Sequence, residues 1–286
     1  MSTTRGNNGL IAYALEVGAD QTQLMTVRPD GSGAKRIGRG LSVANPDWSP
    51  DGRTIVVEIS KADTAGVSLF SADGHLLRNL TPRGFQGQPS FSPDGSLIVY
   101  ERDIGEGNNG VWLMRADGSA KRRVTRSPFG CCDTDPNFSP DGKSITFVRI
   151  KEPEKQQALF AVRRDGKGLR QLTPYSWEVA IKHDWSPDGT RIVLTTNADF
   201  VRPTESANLV VIRRDGSDAQ QLTHFKHGEQ NAFAGSFSPD GKHIVFRLEQ
   251  GLKYALATID PDGNNMRLLT KPSIDKPRGI DWGTHP

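Results

Sequence analysis

Residues 91–95 read Phe91-Ser92-Pro93-Asp94-Gly95, followed by the apolar run Leu97-Ile98-Val99-Tyr100. The same phrase returns as Trp48-Ser49-Pro50-Asp51-Gly52, Phe138-Ser139-Pro140-Asp141-Gly142, Trp185-Ser186-Pro187-Asp188-Gly189 and Phe237-Ser238-Pro239-Asp240-Gly241. The turn aspartates, at 51, 94, 141, 188 and 240, stand 43, 47, 47 and 52 positions apart. A period of this size marks a propeller or a solenoid. Proline sets φ for the first turn position, and Asp-Gly supplies the turn and the positive φ that ends it. The aromatic before each turn and the isoleucine four residues after each aspartate (Ile55, Ile98, Ile145, Ile192, Ile244) predict a hairpin of two antiparallel strands.

Each repeat has a second half. Asp-Gly recurs at Asp73-Gly74, Asp117-Gly118, Asp165-Gly166, Asp215-Gly216 and Asp262-Gly263. An apolar run precedes each of these, as in Leu159-Phe160-Ala161-Val162, and a short run ending in Leu-Thr or Val-Thr follows, as in Leu172-Thr173. One repeat is therefore four strands, A to D, which is the composition of a propeller blade.

The ends complete the count. Leu10-Ile11-Ala12-Tyr13, Leu24-Met25-Thr26-Val27, Asp30-Gly31 and Arg36-Ile37 supply strands B, C and D without an A. Gly279-Ile280-Asp281-Trp282-Gly283 supplies an A strand with nothing after it. The expectation is an all-β, six-bladed propeller with four antiparallel strands per blade. The C-terminal strand joins the N-terminal blade, and that closure removes exposed sheet edges. Residues 1–8 are expected to be a disordered tail, and residues 9–286 a single propeller.

The phrase Pro-x-Trp/Phe-Ser-Pro-Asp-Gly, the isoleucine-centred strand, the second Asp-Gly and the Leu-Thr ending resemble the repeat of the TolB-type six-bladed propeller family. The resemblance covers the propeller domain only, about residues 9 to 284. Similar repeats occur in the periplasmic TolB protein, in propeller domains of the prolyl oligopeptidase class and in lyases acting on acidic sugars. The resemblance implies a periplasmic or extracellular location. The polar start, Met1 to Asn8, implies a cytoplasmic one if Met1 is the native first residue.

Composition narrows the function classes. The net charge of +3 is too mild to indicate nucleic acid. No apolar run approaches the ~20 residues of a membrane span. There is no Gly-x-Ser-x-Gly elbow, phosphate loop or dinucleotide fingerprint. No cofactor is firmly implied, and a monomer is expected.

Both hairpin turns of each repeat belong to one end of the blades. The B–C loops and D–A connections belong to the other end and vary in length and chemistry, which is where a rigid scaffold carries its binding groups. The D–A connections bring Phe85, Phe129, Tyr175, Trp177, Phe225 and His227, and the other candidates for ligand contact are Arg102, His183 and Arg278. The loop Asn197–Pro203 is the longest and is expected to overhang the channel. Polar residues entering the A strands, among them Asn45, Asp47, Gln88, Asp135, Asn137, Lys182, Asp184, Ser236 and Asp281, either line the channel or tie neighbouring blades together. His183, His224 and His227 are the candidate ligands for a bound metal ion. The adjacent pair Cys131-Cys132 are thiols in a reducing compartment or a strained ring disulfide in an oxidising one.

The expected function is a non-enzymatic binding module. It recognises a peptide, a protein partner or an acidic small molecule at the irregular face and channel mouth. The alternatives are a lyase or hydrolase of an acidic sugar or peptide with a histidine-based metal site, and a structural scaffold within a larger assembly.

Overall fold

The computed structural model describes residues 4–18, 21–38, 41–61, 64–82, 84–105, 109–197 and 205–285. The loop expected to overhang the channel lies largely outside these residues. The described chain is all-β apart from one 3-10 turn at Tyr175–Trp177. No helix in it is long and apolar enough to cross a membrane.

The closing sheet runs Lys276–Thr284, Asn8–Val17, Gln21–Val27, Lys35–Ile37, so the C-terminal strand does pair with the first. The fourth repeat (Cys131–Phe138, Ser144–Lys151, Gln156–Arg163, Arg170–Gln171) is a separate four-stranded sheet. So is the fifth (His183–Trp185, Arg191–Thr196, Asn208–Arg213, Gln220–Gln221). The sixth is a third, with strands Asn231–Phe237, Ile244–Gln250, Lys253–Ile259 and Arg267–Leu268.

The expectation of six separate blades is corrected here. Four sheets have four strands each, and the second and third repeats share one sheet of eight. Its strands are Ser42–Trp48, Thr54–Lys61, Thr64–Ser71 and Leu76–Asn79, then Phe85–Phe91, Leu97–Asp103, Gly110–Arg115 and Arg122–Arg123. The junction is one parallel pair, Ala65 with Phe85, and the Ala65 N–H donates to Gly84 O at 3.1 Å. The physical reason is the Ala65 N–H, an edge donor that lies beyond the end of the fourth strand and takes a carbonyl of the incoming chain. Leu76–Asn79 pairs as far as Ser68, and Leu80 and Thr81 bond to Val67, so Ala65 lies past the reach of the outer strand. The incoming chain takes that edge. Elsewhere the same edge is met by single contacts, such as Val179 N to Gln157 O and the Tyr254–Ser273 bridge. Covered edges do not template aggregation.

The core lies between successive repeats. Val99, Val111 and Leu113 of the third pack against Phe138, Ile145 and Phe147 of the fourth. Val245 and Leu256 of the last pack against Ile11, Ile280 and Trp282 of the closing sheet. The aromatic of each turn phrase is the wedge at such an interface, and Trp185, Phe138 and Phe237 are at most 1% exposed.

The serine of the phrase has a role that turn propensity does not reveal. Ser92 Oγ donates to Asp94 Oδ1 at 2.6 Å and accepts the Leu97 N–H at 2.9 Å, and the other four copies repeat both bonds. The threonine of Leu-Thr works similarly across the outer strands: Thr173 Oγ1 accepts Leu159 N–H at 2.9 Å.

Trp282 is 2% exposed. Replacing it with alanine is expected to cost about 3–5 kcal/mol, read as a lowered urea midpoint. An unchanged midpoint would remove the closing strand from the core.

The turn carboxylates make acid sensitivity a second test. Hydrogen bonds from Ser92 and then Ser96 hold Asp94 down at about 2, and the Ser49 hydroxyl lowers Asp51. Such groups contribute stability above their unfolded value, near 4, that is lost as pH falls through the folded one. Thermal stability is expected to drop from about pH 4 to about pH 2, with a shallower drop in Ser92→Ala. Because the turns are largely solvated, the effect is small at each. Parallel curves for the two proteins would refute this account.

Candidate functional site at the inner-strand mouth

The innermost strands share a distortion. Pairing slips between Ala44 and Asp47, Gly87 and Ser90, Thr134 and Asn137, Ala234 and Ser236, and opposite Arg278 and Asp281. These are β-bulges at one depth, and bulges re-aim side chains. At the slip Asn45, Gln88 and Asp135 take φ of 48°, 48° and 47°, a left-handed region that costs non-glycine residues energy. Gly279 takes φ 53° at the equivalent point, and a Cβ there would lie 2.9 Å from Asn45 Cα.

Above the bulges is a cavity of about 270 Å³ lined by Asn45, Gln88, Lys182, Phe233, Arg247 and Arg278, with Ile181, Ile280 and small residues between them. A polar chain runs around one half. Asn45 Nδ2 donates to Glu58 Oε2 at 3.0 Å, and the same oxygen accepts Gln88 N–H at 3.2 Å. Gln88 Oε1 accepts from Thr134 Oγ1 and from the Asp135 N–H. Asp135 is ion-paired to Lys182 at 2.7 Å and lies 3.2 Å from His183 Nδ1. Burial pushes the Asp135 carboxyl up, but the Lys182 ammonium and His183 outweigh it and hold it well below the usual range. The other half is cationic. Arg247 meets Glu249 at 2.8 Å with its guanidinium 4.3 Å over Phe233, and Arg278 meets Glu16 at 2.5 Å.

Below the bulges a second ring ties repeat to repeat. Asp281 Oδ2 accepts Trp48 N–H at 2.7 Å, Asp47 Oδ2 accepts Phe91 N–H at 2.7 Å, and Asp184 Oδ2 accepts Phe237 N–H at 2.8 Å. Asn137 donates to His183 O at 3.0 Å, and Ser236 Oγ reaches both Asp184 and Asp281. Burial raises Asp47 well above its ordinary value, with Asp281 adding repulsion, and burial raises Asp281 too.

The candidates from sequence are dispersed. Arg278 lines the cavity, whereas His183 is fully buried in its wall, its Nε2 2.8 Å from Thr146 Oγ1. Burial holds the His183 pKa down. Arg102 lies over Trp112 at 4.7 Å, away from the cavity lining. Trp177 and Phe225 pack against the inter-repeat cores, and Tyr175 packs on Phe160 with Lys151 4.2 Å over its ring. Phe129 is fully exposed and Phe85 is 55% exposed. His224 and His227 are exposed in the following connection, and among the described residues no group of His, Cys, Asp or Glu is arranged to hold a metal ion. Cys131 and Cys132 are free, and as consecutive residues of an extended strand they point to opposite faces.

Arg247 is the site residue that the sequence reading passed over, whereas Lys182 is among the polar residues entering the A strands. The signal for Arg247 was a charge inside the apolar run Ile244-Val245-Phe246-Arg247-Leu248. Gly6 N–H donates to Pro239 O at 3.1 Å, so the chain is in contact with the body two residues before its first strand.

A family model described as the TolB beta propeller domain matches residues 105–283. The uncharacterized peptidase YuxL of Bacillus subtilis is 28% identical over 200 residues, 55% of this chain and 28% of YuxL. The Tol-Pal system protein TolB of Francisella tularensis subsp. holarctica is 27% identical over 226 residues, 78% of this chain and 49% of that protein. The chain thus spans less than half the length of either relative. The crystal structure of TolB from Acinetobacter baumannii aligns with a TM-score of 0.75 at 23% identity, covering 97% of this chain and 67% of that one, a likeness of fold.

The lower ring makes a pH-dependent prediction. A carboxyl raised by folding stabilises the fold only while protonated in both states, and that contribution is lost as pH rises through the folded value. Asp47→Asn, which keeps an oxygen for the Phe91 N–H, is expected to melt higher than the parent at pH 8 and with little difference at pH 4. An equal loss of melting temperature at both pH values would rule out the charge as the cause.

Proposed function

The chain belongs to the TolB β-propeller domain family, and from that premise we propose that it is a binding module whose channel mouth takes an anionic group of a peptide, protein partner or acidic small molecule. The observation that supports this most directly is the make-up of the mouth cavity: Lys182, Arg247 and Arg278 line it, and among the described residues no carboxylate does. Arginine holds a carboxylate through two parallel hydrogen bonds. Asn45 and Gln88 add polar groups held in place by strained backbone, while Phe233, Ile181 and Ile280 supply apolar contact area. The three cations differ in readiness. Lys182 balances the buried Asp135, and Arg247 is itself buried enough for its pKa to fall. Arg278 is half exposed and holds Glu16 in a solvated pair, a weak contact that an incoming carboxylate can displace.

Peptides with free C-terminal carboxylates, and galacturonate oligomers, titrated calorimetrically are the probes, with amidated peptides as controls. Arg278→Ala is expected to weaken the anionic ligand by about tenfold, the size of one charged hydrogen bond, and to leave the melting temperature unchanged. Equal affinity for amidated and free peptides, or for parent and Arg278→Ala, would overturn the proposal.

A further inference from the structure

The opposite end of the ring carries a feature that the mouth does not explain. All six C–D turns form the same bond, from the glycine N–H to the carbonyl three residues earlier: Gly31 to Arg28, Gly74 to Ser71, Gly118 to Arg115, Gly166 to Arg163, Gly216 to Arg213 and Gly263 to Asp260. The two residues ahead of the Asp-Gly are Arg28-Pro29, Ser71-Ala72, Arg115-Ala116, Arg163-Arg164, Arg213-Arg214 and Asp260-Pro261. The turn therefore forms equally well on Ser-Ala and on Asp-Pro. The arginine pairs of the fourth and fifth repeats are not demanded by the fold, and they stand in consecutive repeats.

Around them the structure has two open grooves of about 490 and 500 Å³ that share Arg214. Lys143, Arg163 and Arg164 line the first with Arg214, and Arg191 and Arg213 line the second with it. Four carboxylates lie among these six cations: Arg163 meets Asp165 at 2.7 Å, Arg213 meets Asp218 at 3.0 Å, and Arg214 meets Asp141 at 3.6 Å, while Asp215 accepts from Ser217. Among the described residues Lys143, Arg164 and Arg191 are in no ion pair within 4.0 Å. The pairs that exist are solvated and exchangeable. The turn backbones that carry the grooves are also tied to their neighbours. Arg122 donates to Arg164 O at 2.7 Å and Arg170 donates to Arg214 O at 2.9 Å, so each turn backbone is clamped by the preceding repeat.

We propose that this arginine-lined pair of grooves on the turn end of the fourth and fifth repeats is a second binding site, for an extended polyanion carrying repeated sulfate, carboxylate or phosphate groups. Guanidinium forks match the oxyanions of all three, and two grooves joined at one arginine suit a ligand whose charges recur along a chain. A single small anion would need only one of them.

The probes are a sulfated glycan of the heparin type and inorganic polyphosphate, titrated at low and at raised salt. The full chain is expected to bind at low salt, with affinity falling as salt screens the contacts. Arg164→Glu with Arg214→Glu is expected to lower affinity by about tenfold or more, since each reversal removes an attraction and adds a repulsion. Lys226→Glu with Lys253→Glu changes the net charge equally at the other end of the repeats and is expected to change little, as is Arg278→Ala. Binding of the glycan but not polyphosphate assigns the site to acidic glycans, and the reverse assigns it to phosphate polymers. No binding of either probe at low salt, or an equal loss in the Lys226–Lys253 variant, would overturn the proposal. Failure at the mouth would leave these results unchanged, because the two sites share no residue.

Discussion

The structure depends on one hydrogen bond, used again from repeat to repeat. A short polar side chain, one residue before the buried aromatic of the inner strand, reaches across to the backbone of the next repeat: Asp281 to Trp48, Asp47 to Phe91, Asp184 to Phe237, Asn137 to His183. The bond lies where the inner strands crowd together and water is excluded, so a missing partner would be costly. It fixes the depth at which Trp48, Phe91 and Phe237 wedge between sheets. The price is the burial of Asp47, Asp184 and Asp281 close to one another, which no arrangement of surface charge would produce.

From that ring the mouth follows. Once the inner strands are locked in depth, the bulges one step above them all fall at a common level. Asn45, Gln88 and Asp135 are held there in left-handed backbone, and a side-chain chain runs from Glu58 through Gln88 and Asp135 to Lys182. Strained residues persist where the surroundings over-determine them, and they gather at working sites. The cations Arg247 and Arg278 complete the opposite wall on strands that the closing sheet brings together. The two ends of the ring therefore differ in construction. The mouth is a small cavity with a polar half and a cationic half, and the turn end is a set of regular hairpins whose exposed side chains are free to vary.

The strand order, the hairpin turns and the wedge aromatics were legible in the sequence because their causes are local. Pro-Asp-Gly sets its own turn, and the Ser-to-Asp bond spans two residues. Closure by the last strand was legible too, since Trp282 repeats the register of the five earlier aromatics. The polar residues entering the inner strands held both roles open to them: Asn45, Gln88 and Lys182 line the cavity, and Asp47, Asn137 and Asp184 tie repeats together.

Three things were decided only by tertiary structure. The division into sheets depended on which backbone arrives at the edge beyond each outer strand, and at Ala65 the arriving chain paired and joined two repeats into one sheet. The loop aromatics were divided between packing and exposure by neighbours distant in sequence, so Trp177 and Phe225 are half-buried against the core while Phe129 stayed in solvent. Of the mouth cations only Arg278 stands at a bulge, while Lys182 enters the inner strand of its repeat and Arg247 lies on a second strand opposite Phe233. A one-residue slip turns a side chain from sheet to channel, and pairing partners, which the local sequence does not specify, determine where that slip falls.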